Sequence, residues 1–168
     1  MFLDVTKALQ LPGTDIPFQV ELEIPTQDVL GEDVSFDPAV ITGCAQAIGE
    51  SIILHGSIQT KAHARCANCL APATAELEVP FRETFLHGET PEDDPDLFSY
   101  EGSKVELDQM VLSVVLLDLP MRFLCREDCQ GFCHQCGMDK NLCTCQKELP
   151  AKHPFEALQQ LLTKDEEV

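Results

Sequence analysis

The sequence predicts an α+β fold: an antiparallel β-sheet packed by one or two helices, with a small cysteine-rich lobe at its C-terminal end. Three observations carry that expectation. Apolar and polar residues alternate along several stretches of the first half. One eight-residue apolar run, Met110 to Leu117, is bounded by Asp108 and Pro120. Six cysteines then fall between Cys125 and Cys145. The 168 residues, 44% of them hydrophobic, suffice for one core. They divide into a β-rich body with one core helix over 1–120 and a cysteine-rich lobe over 121–168, read together as one integrated domain.

Taken in order, Phe18 to Ile24 (FQVELEI) alternates as a half-buried strand does. The stretch Val40 to Ile48 (VITGCAQAI) is strand-like and holds Cys44, read as a buried free thiol. Ser51–Arg65 and Thr74–Leu86 form the clearest pair. Ile58, Thr60, Ala62 and Ala64 share one face of the first, with Gln59, Lys61, His63 and Arg65 on the other. Ala75, Leu77, Val79 and Phe81 oppose Glu76, Glu78 and Arg82 in the second. Laid antiparallel across a short connection at Cys66–Pro72, Lys61 falls near Glu78 and His63 near Glu76, which sets opposite charges side by side. His87 to Ser103, rich in acid, Pro and Gly, reads as an exposed loop. Asp108 is the expected N-cap of a helix whose nearly all-round apolar body, Met110 to Leu117, requires burial against the sheet, and Pro120 stops it. After the Pro150–Pro154 break, Phe155, Leu158, Leu161 and Leu162 recur at helical spacing, which predicts a short C-terminal amphipathic helix.

Charge narrows the function classes. Eleven basic against 29 acidic residues give a formal charge of −18. Ala8 to Thr60 holds eight carboxylates and no Lys or Arg, and Glu89 to Asp108 holds eight more against Lys104 alone. Met121 to Lys152 is near balance, with five basic and four acidic side chains. Such a surface repels phosphate backbones and suits a basic protein partner, and it also keeps a protein in solution. The N-terminus MFLDVTKALQ lacks the pattern of a signal peptide, and no apolar run approaches the roughly 20 residues of a membrane span, so a cytoplasmic protein with no membrane partner is expected. Nucleophile–base pairs, phosphate-cradling glycine loops and His/Glu zinc-protease motifs are absent from the sequence, so no enzymatic activity is expected.

Nine cysteines in a chain without an export signal point to metal ligation rather than disulfides. Cys66-Ala-Asn-Cys69 sits at the predicted hairpin tip, where a tight turn directs two thiolates at one ion. Cys125, Cys129, Cys133 and Cys136-Gly137, then Cys143-Thr-Cys145, supply six more. Together they suffice for two sites of four thiolates, which is the ligand set of structural zinc. In one partition Cys133, Cys136, Cys143 and Cys145 hold one ion, while Cys66, Cys69, Cys125 and Cys129 hold another that staples the tail to the hairpin. In the alternative a single ion takes Cys66, Cys69, Cys133 and Cys136. All-sulfur ligation leaves no position open for water, so either arrangement is structural rather than catalytic. His63 and His134 lie near cysteines as substitute ligands. A redox role for Cys66 and Cys69 would call for a helix N-terminus rather than a hairpin tip.

The order of these elements resembles the YceD family, the large ribosomal RNA subunit accumulation proteins, in its cysteine-rich form. The resemblance runs from about Gly56 to Leu162. It is carried by C-x-x-C-L at Cys66 to Leu70, the L-D-x-x-V helix ending in L-P from Leu107 to Pro120, LCREDCQGFCHQCG from Leu124 to Gly137, and the closing C-x-C. It departs at Asn68, where the family usually has Arg, and at His153-Pro154, where members often carry Asp-Pro. The resemblance implies accumulation of 23S ribosomal RNA, hence large-subunit assembly, and no known enzymatic activity. The expected partner is a ribosomal protein or pre-ribosomal particle. Two other readings stay open. One is direct binding of the 23S rRNA precursor through the lobe, where Arg122, Arg126, Lys140, Lys147 and Lys152 gather. The other is a thiol oxidoreductase.

Overall fold

The computed structural model describes residues 1–88, 98–133, 135–138, 140 and 142–145. Met1–Cys129 form one compact unit, and the chain from Gln130 onward forms a second. The expected C-terminal helix at Phe155–Leu162, residues 89–97 of the acidic stretch, and His134, Lys147 and Lys152 lie outside the described residues.

The first unit is dominated by one sheet of nine strands. In chain order these are β1 (Phe2–Asp4), β2 (Ile16–Leu22), β3 (Gln27–Val29), β4 (Glu32–Phe36), β5 (Ala39–Ile48), β6 (Ser51–Arg65), β7 (Pro72–His87), β8 (Phe98–Glu101) and β9 (Lys104–Glu106). Two helices accompany them, α1 (Thr6–Gln10) and α2 (Asp108–Leu117). Along the sheet the order is β1-β9-β8-β7-β6-β4-β3, with β5 also on β6 and β2 on the far edge of β5. The expected all-antiparallel sheet is corrected to a mixed one, because β8 runs parallel to β7. Parallel neighbours cannot be joined by a tight hairpin turn, and the chain has residues 88–97 between these two strands. The Phe85 and Phe98 rings stack at 5.3 Å across that junction.

β6 organises the sheet. It pairs with β7 from Ser51↔Leu86 to Arg65↔Pro72 and with β5 from Ser51↔Ile48 to Gln59↔Val40. Further along the same edge it pairs with β4, at Ala62↔Phe36 and His63↔Ser35. Asp37 and Pro38 insert one extra residue between β4 and β5, as a β-bulge does. The bulge is satisfied: the Asp37 amide donates to the Lys61 carbonyl at 2.9 Å, and the Thr60 hydroxyl donates to the Asp37 carbonyl at 2.8 Å. Thr60 is thereby a buried polar side chain with its hydrogen bond made.

The faces fall as the alternation predicts, with Ile52, Leu54, Ile58 and Ala62 of β6 buried beside Leu77, Val79, Phe81 and Phe85 of β7. The register does not. Lys61 stands opposite Glu76, Gln59 opposite Glu78 and His63 opposite Thr74, a shift of two residues from the expected pairing. A shift of two keeps every side chain on its face, so hydrophobicity alone does not resolve it. The Lys61 ammonium meets the Glu76 carboxylate at 2.8 Å. His63 lies 3.0 Å from both the Asp37 carboxylate and the Thr74 hydroxyl.

Helix α2 buries Met110, Val111 and Val115 in the core, each contributing roughly 1.5–3 kcal/mol. Two expectations about it are corrected. Asp108 is the first helical residue rather than the N-cap, which is Leu107 and makes no side-chain cap. The Asp108 carboxylate instead meets the N-terminal ammonium of Met1, where a negative charge also suits the helix dipole. The apolar body is not buried all round, since Leu117 is 88% exposed. Cys44, expected buried, is half-buried on the outward face opposite His55. The acidic stretch, expected as loop to Ser103, closes with strand β8 and a two-residue turn at Gly102–Ser103 into β9, so that Tyr100 and Val105 are buried.

Gly43 and Gly56 face each other across β5 and β6. A Cβ on Gly56 would stand 2.1 Å from the Thr42 carbonyl oxygen, and one on Gly43 2.4 Å from that of His55. The two strands approach so closely here that only glycine fits. Gly56→Ala is expected to cost about 1–3 kcal/mol through backbone displacement, read as a lower midpoint in urea. Ser57→Ala, one residue away on the other face, is expected to stay within about 0.5 kcal/mol.

Candidate metal centres

The β6–β7 hairpin ends in a knuckle. The Leu70 amide donates to the Cys66 carbonyl at 2.9 Å, and the Cys66 amide donates to the Ala71 carbonyl at 2.8 Å. Closing this turn puts Leu70 in the left-handed region, at φ 58°. The same pattern recurs at the second Cys-x-x-Cys. The Gly137 amide donates to the Cys133 carbonyl at 2.8 Å, the Cys133 amide donates to the Met138 carbonyl at 2.7 Å, and Gly137 has φ 70°. Both turns aim two sulfurs to one side, and glycine takes the left-handed position at no steric cost while leucine does not. Nothing about Leu70 in the sequence announces that role except its place after the second cysteine.

The chain after α2 returns to the hairpin tip. The Ala67 amide donates to the Phe123 carbonyl at 2.8 Å, and the Asn68 side-chain amide donates to the Cys129 carbonyl at 2.8 Å. These bonds bring Cys125 and Cys129 over Cys66 and Cys69. The Cys66 and Cys129 sulfurs are 3.7 Å apart, those of Cys69 and Cys125 are 3.5 Å apart, and all four lie within 4.8 Å of one another. In the second unit Cys133, Cys136, Cys143 and Cys145 likewise gather within 4.8 Å, with Cys136 and Cys143 at 3.5 Å. A tetrahedral ion with metal–sulfur bonds near 2.3 Å sets sulfur–sulfur edges of about 3.8 Å, so both groups fit such an ion. Asn68, at the position where Arg was noted as usual, is a structural donor in this chain.

Four thiols this close shift one another's acidity in opposite directions. Burial resists ionisation of Cys66, but the amides of Cys125, Asn68 and Cys69, with the Cys69 thiol, outweigh it and bring Cys66 down to about 6. In the second group the Cys136 amide, then the Cys143 thiol and the Gln135 amide, bring Cys133 down to about 6. Neighbouring thiols are driven the other way. Hydrogen bonding to Cys69 and then burial push Cys125 up to about 12, and hydrogen bonds to Cys143 and Cys136 push Cys145 up to about 12. In each group one thiol is thus shifted toward ionisation and another against it, and a divalent cation held by all four sulfurs would displace their protons.

The remaining predicted residues lie elsewhere. His63 is engaged by Asp37 and Thr74, and Cys44 belongs to neither group. Arg126 lies 3.7 Å from the Asp128 carboxylate. No helix among the described residues is long and apolar enough to cross a membrane.

Two outcomes follow from this geometry. Asn68→Ala is expected to cost about 0.5–1.5 kcal/mol in urea unfolding of metal-loaded protein, without changing how many ions are bound. Protons and metal compete for the same sulfurs, so uptake of an ion releases protons and affinity falls with falling pH. The loss is expected to steepen below about pH 6, where Cys66 and Cys133 give up their charge, in zinc titrations against a chromogenic competitor.

A family model described as "Large ribosomal RNA subunit accumulation protein YceD" matches residues 54–162. Among curated relatives, "Uncharacterized protein Mb2951c" of Mycobacterium bovis and "Uncharacterized protein Rv2926c" of Mycobacterium tuberculosis are each 25% identical over 146 residues, covering 82% of this chain and 70% of theirs. "Uncharacterized protein ML1660" of Mycobacterium leprae is 25% identical over 97 residues, covering 55% of this chain and 44% of its own. No solved structure matches. The family match spans both Cys-x-x-Cys knuckles, helix α2 and the segment that joins the hairpin tip, and the chain belongs to the YceD family of large ribosomal RNA subunit accumulation proteins.

Proposed function

We propose that this protein is a non-enzymatic, zinc-stabilised factor of large ribosomal subunit biogenesis. It acts in the cytoplasm as a binding module for a basic protein partner on the pre-ribosomal particle. One observation carries the reading: in a member of an rRNA-accumulation family, eight sulfurs gather as two closed groups of four. Cys66, Cys69, Cys125 and Cys129 hold one ion, and Cys133, Cys136, Cys143 and Cys145 hold the other. Zinc is the metal because four thiolates in a tetrahedron match its softness and lack of geometric preference, and closed sites of this kind contribute folding energy rather than chemistry. The first ion fixes residues 123–129 on the hairpin tip, and the second holds together a segment too short to bury a core of its own.

The kind of partner follows from charge. With a formal charge of −18, the chain attracts Lys- and Arg-rich proteins and repels bare phosphate. Direct RNA binding through Arg122, Arg126 and Lys140 is the weaker reading, because Arg126 already has Asp128 beside it. A thiol oxidoreductase is weaker still, since Cys66 is fully buried and its sulfur is out of reach of a substrate.

Native mass spectrometry is expected to give two zinc ions per chain, and a strong chelator to lower the Tm. A metal-free sample with unchanged Tm would overturn the zinc reading. Tagged protein is expected to retain large-subunit precursors or a ribosomal protein at low salt and to release them as salt rises. Retention of naked 23S rRNA that is lost on Arg122→Glu would favour the RNA reading instead.

A further inference from the structure

The two sulfur groups live in different surroundings. In the first, Cys66 is 0% exposed, Cys69 and Cys129 are 7% exposed, and Cys125 is half-buried, so no sulfur of this group is as open as Cys136. Its close pairs join residues 63 and 56 apart in sequence, and the Asn68 bond holds the two segments together. In the second, all four cysteines fall between Cys133 and Cys145, Cys136 is exposed, and Cys143 and Cys145 are half-buried. The exposed Cys136 sulfur lies 3.5 Å from that of Cys143. A dissolved oxidant must reach a sulfur, and disulfide closure then needs a second sulfur able to move in to about 2.05 Å. Sulfur spacing is similar in the two groups, so access separates them.

We propose that Cys136 and Cys143 form a peroxide-oxidisable pair whose closure expels the ion of the second group while the first group keeps its own. This rests on the zinc reading above. The oxidant is a small hydroperoxide such as hydrogen peroxide. The Cys136 thiolate attacks one peroxide oxygen, the S–O bond forms, the O–O bond breaks, and the departing hydroxide takes a proton to become water. The Cys143 thiolate then attacks the sulfenic sulfur of Cys136. The S–S bond forms, the S–O bond breaks, and a second hydroxide leaves and is protonated. Two electrons pass from the two sulfurs to the peroxide, and two waters result. Cys133 and Cys145 alone do not retain the ion, which goes to solvent. The knuckle it organised then relies on the amides of Cys133, Gly137 and Lys140 and their carbonyl partners.

The test uses the full chain reconstituted with two zinc ions and carrying Cys44→Ser, which removes the half-buried thiol outside both groups. Hydrogen peroxide is added in steps, zinc release is followed with a chromogenic chelator, and disulfides are mapped by mass spectrometry after alkylation. The expected result is a plateau at one of the two ions, a Cys136–Cys143 crosslink, and recovery with dithiothreitol and zinc. Cys136→Ser, which also removes one ligand of the second ion, is expected to abolish the crosslink while the first group keeps its ion. Release of both ions together overturns the proposal. So does oxidation anywhere in the first group before Cys136, a Cys69–Cys125 crosslink above all, or retention of both ions at doses that oxidise free cysteine. A chain that takes up no zinc at all fells the zinc reading and this proposal with it, whereas one that loads two and loses neither fells this proposal alone.

Discussion

The antiparallel pairing of β6 with β7, unbroken from Ser51↔Leu86 to Arg65↔Pro72, is the constraint from which the rest of the first unit follows. Period-two alternation on both strands turns one face entirely toward the core, so a slip of one residue would expose Ile52, Leu54 and Ile58 together. The same pairing delivers its turn at a fixed height, where Cys66 and Cys69 emerge on a closed loop rather than a mobile one. β5 and the β4 bulge complete the other edge of β6, and the Gly43–Gly56 contact lets β5 and β6 approach more closely than side chains allow. The sulfur group at the tip is therefore an extension of the sheet, with its geometry set before Cys125 and Cys129 arrive.

The second knuckle shows how little of that support the local turn needs. Cys133 to Met138 repeats the hydrogen bonds of Cys66 to Ala71 without a hairpin beneath it. What differs is the reservoir of stability behind each turn. The first is backed by a small buried cluster of Cys66, Cys69, Cys129 and Ala73, packed by Phe123 and Leu124. The second has exposed Phe132, Met138 and Leu142 around it. On the proposed reading a segment of that kind would gain its order from ligation, whereas an ion in the first group would add to order already present. One motif thus serves two energetic roles within a single chain.

Much of this was legible in the residues, and the failures have physical causes. The faces of β6 and β7 follow from alternation, whereas spacing alone allows two ways of sharing the sulfurs. Only the fold-back of residues 123–129 onto the hairpin tip gathers Cys125 and Cys129, rather than Cys133 and Cys136, beside Cys66 and Cys69. The strand register was misplaced by two residues because Lys61 finds a carboxylate at Glu76 or at Glu78 with equal local merit. Only the six-residue connection Cys66–Ala71, with its two internal hydrogen bonds, decides between them. β8 and β9 were hidden inside an acidic stretch read as loop. Their signal was Gly102–Ser103 between Tyr100 and Val105, a two-residue turn dipeptide flanked by two apolar residues that become buried. Asp108 misled for a different reason, since nothing local reveals that the chain's own amino terminus will meet it. Leu70 was opaque because a leucine at positive φ contradicts its own preference and is held there by the turn around it.

Metal ligation also sharpens the choice of partner. Zinc with four thiolates carries two net negative charges, so filling both groups makes an acidic protein more acidic rather than supplying positive charge for phosphate. An ion in the knuckles therefore does not make an RNA-binding surface by electrostatics. Its effect is to fix the backbone, leaving recognition to what the fixed surfaces present. On the sheet those surfaces include Glu21, Glu76 and Glu78, with Lys61 already paired to Glu76. Under the proposed function, long-range attraction would select cationic protein chains, the ions would set the shape such a chain must fit, and the rRNA-accumulation role would be reached through the protein component of the particle.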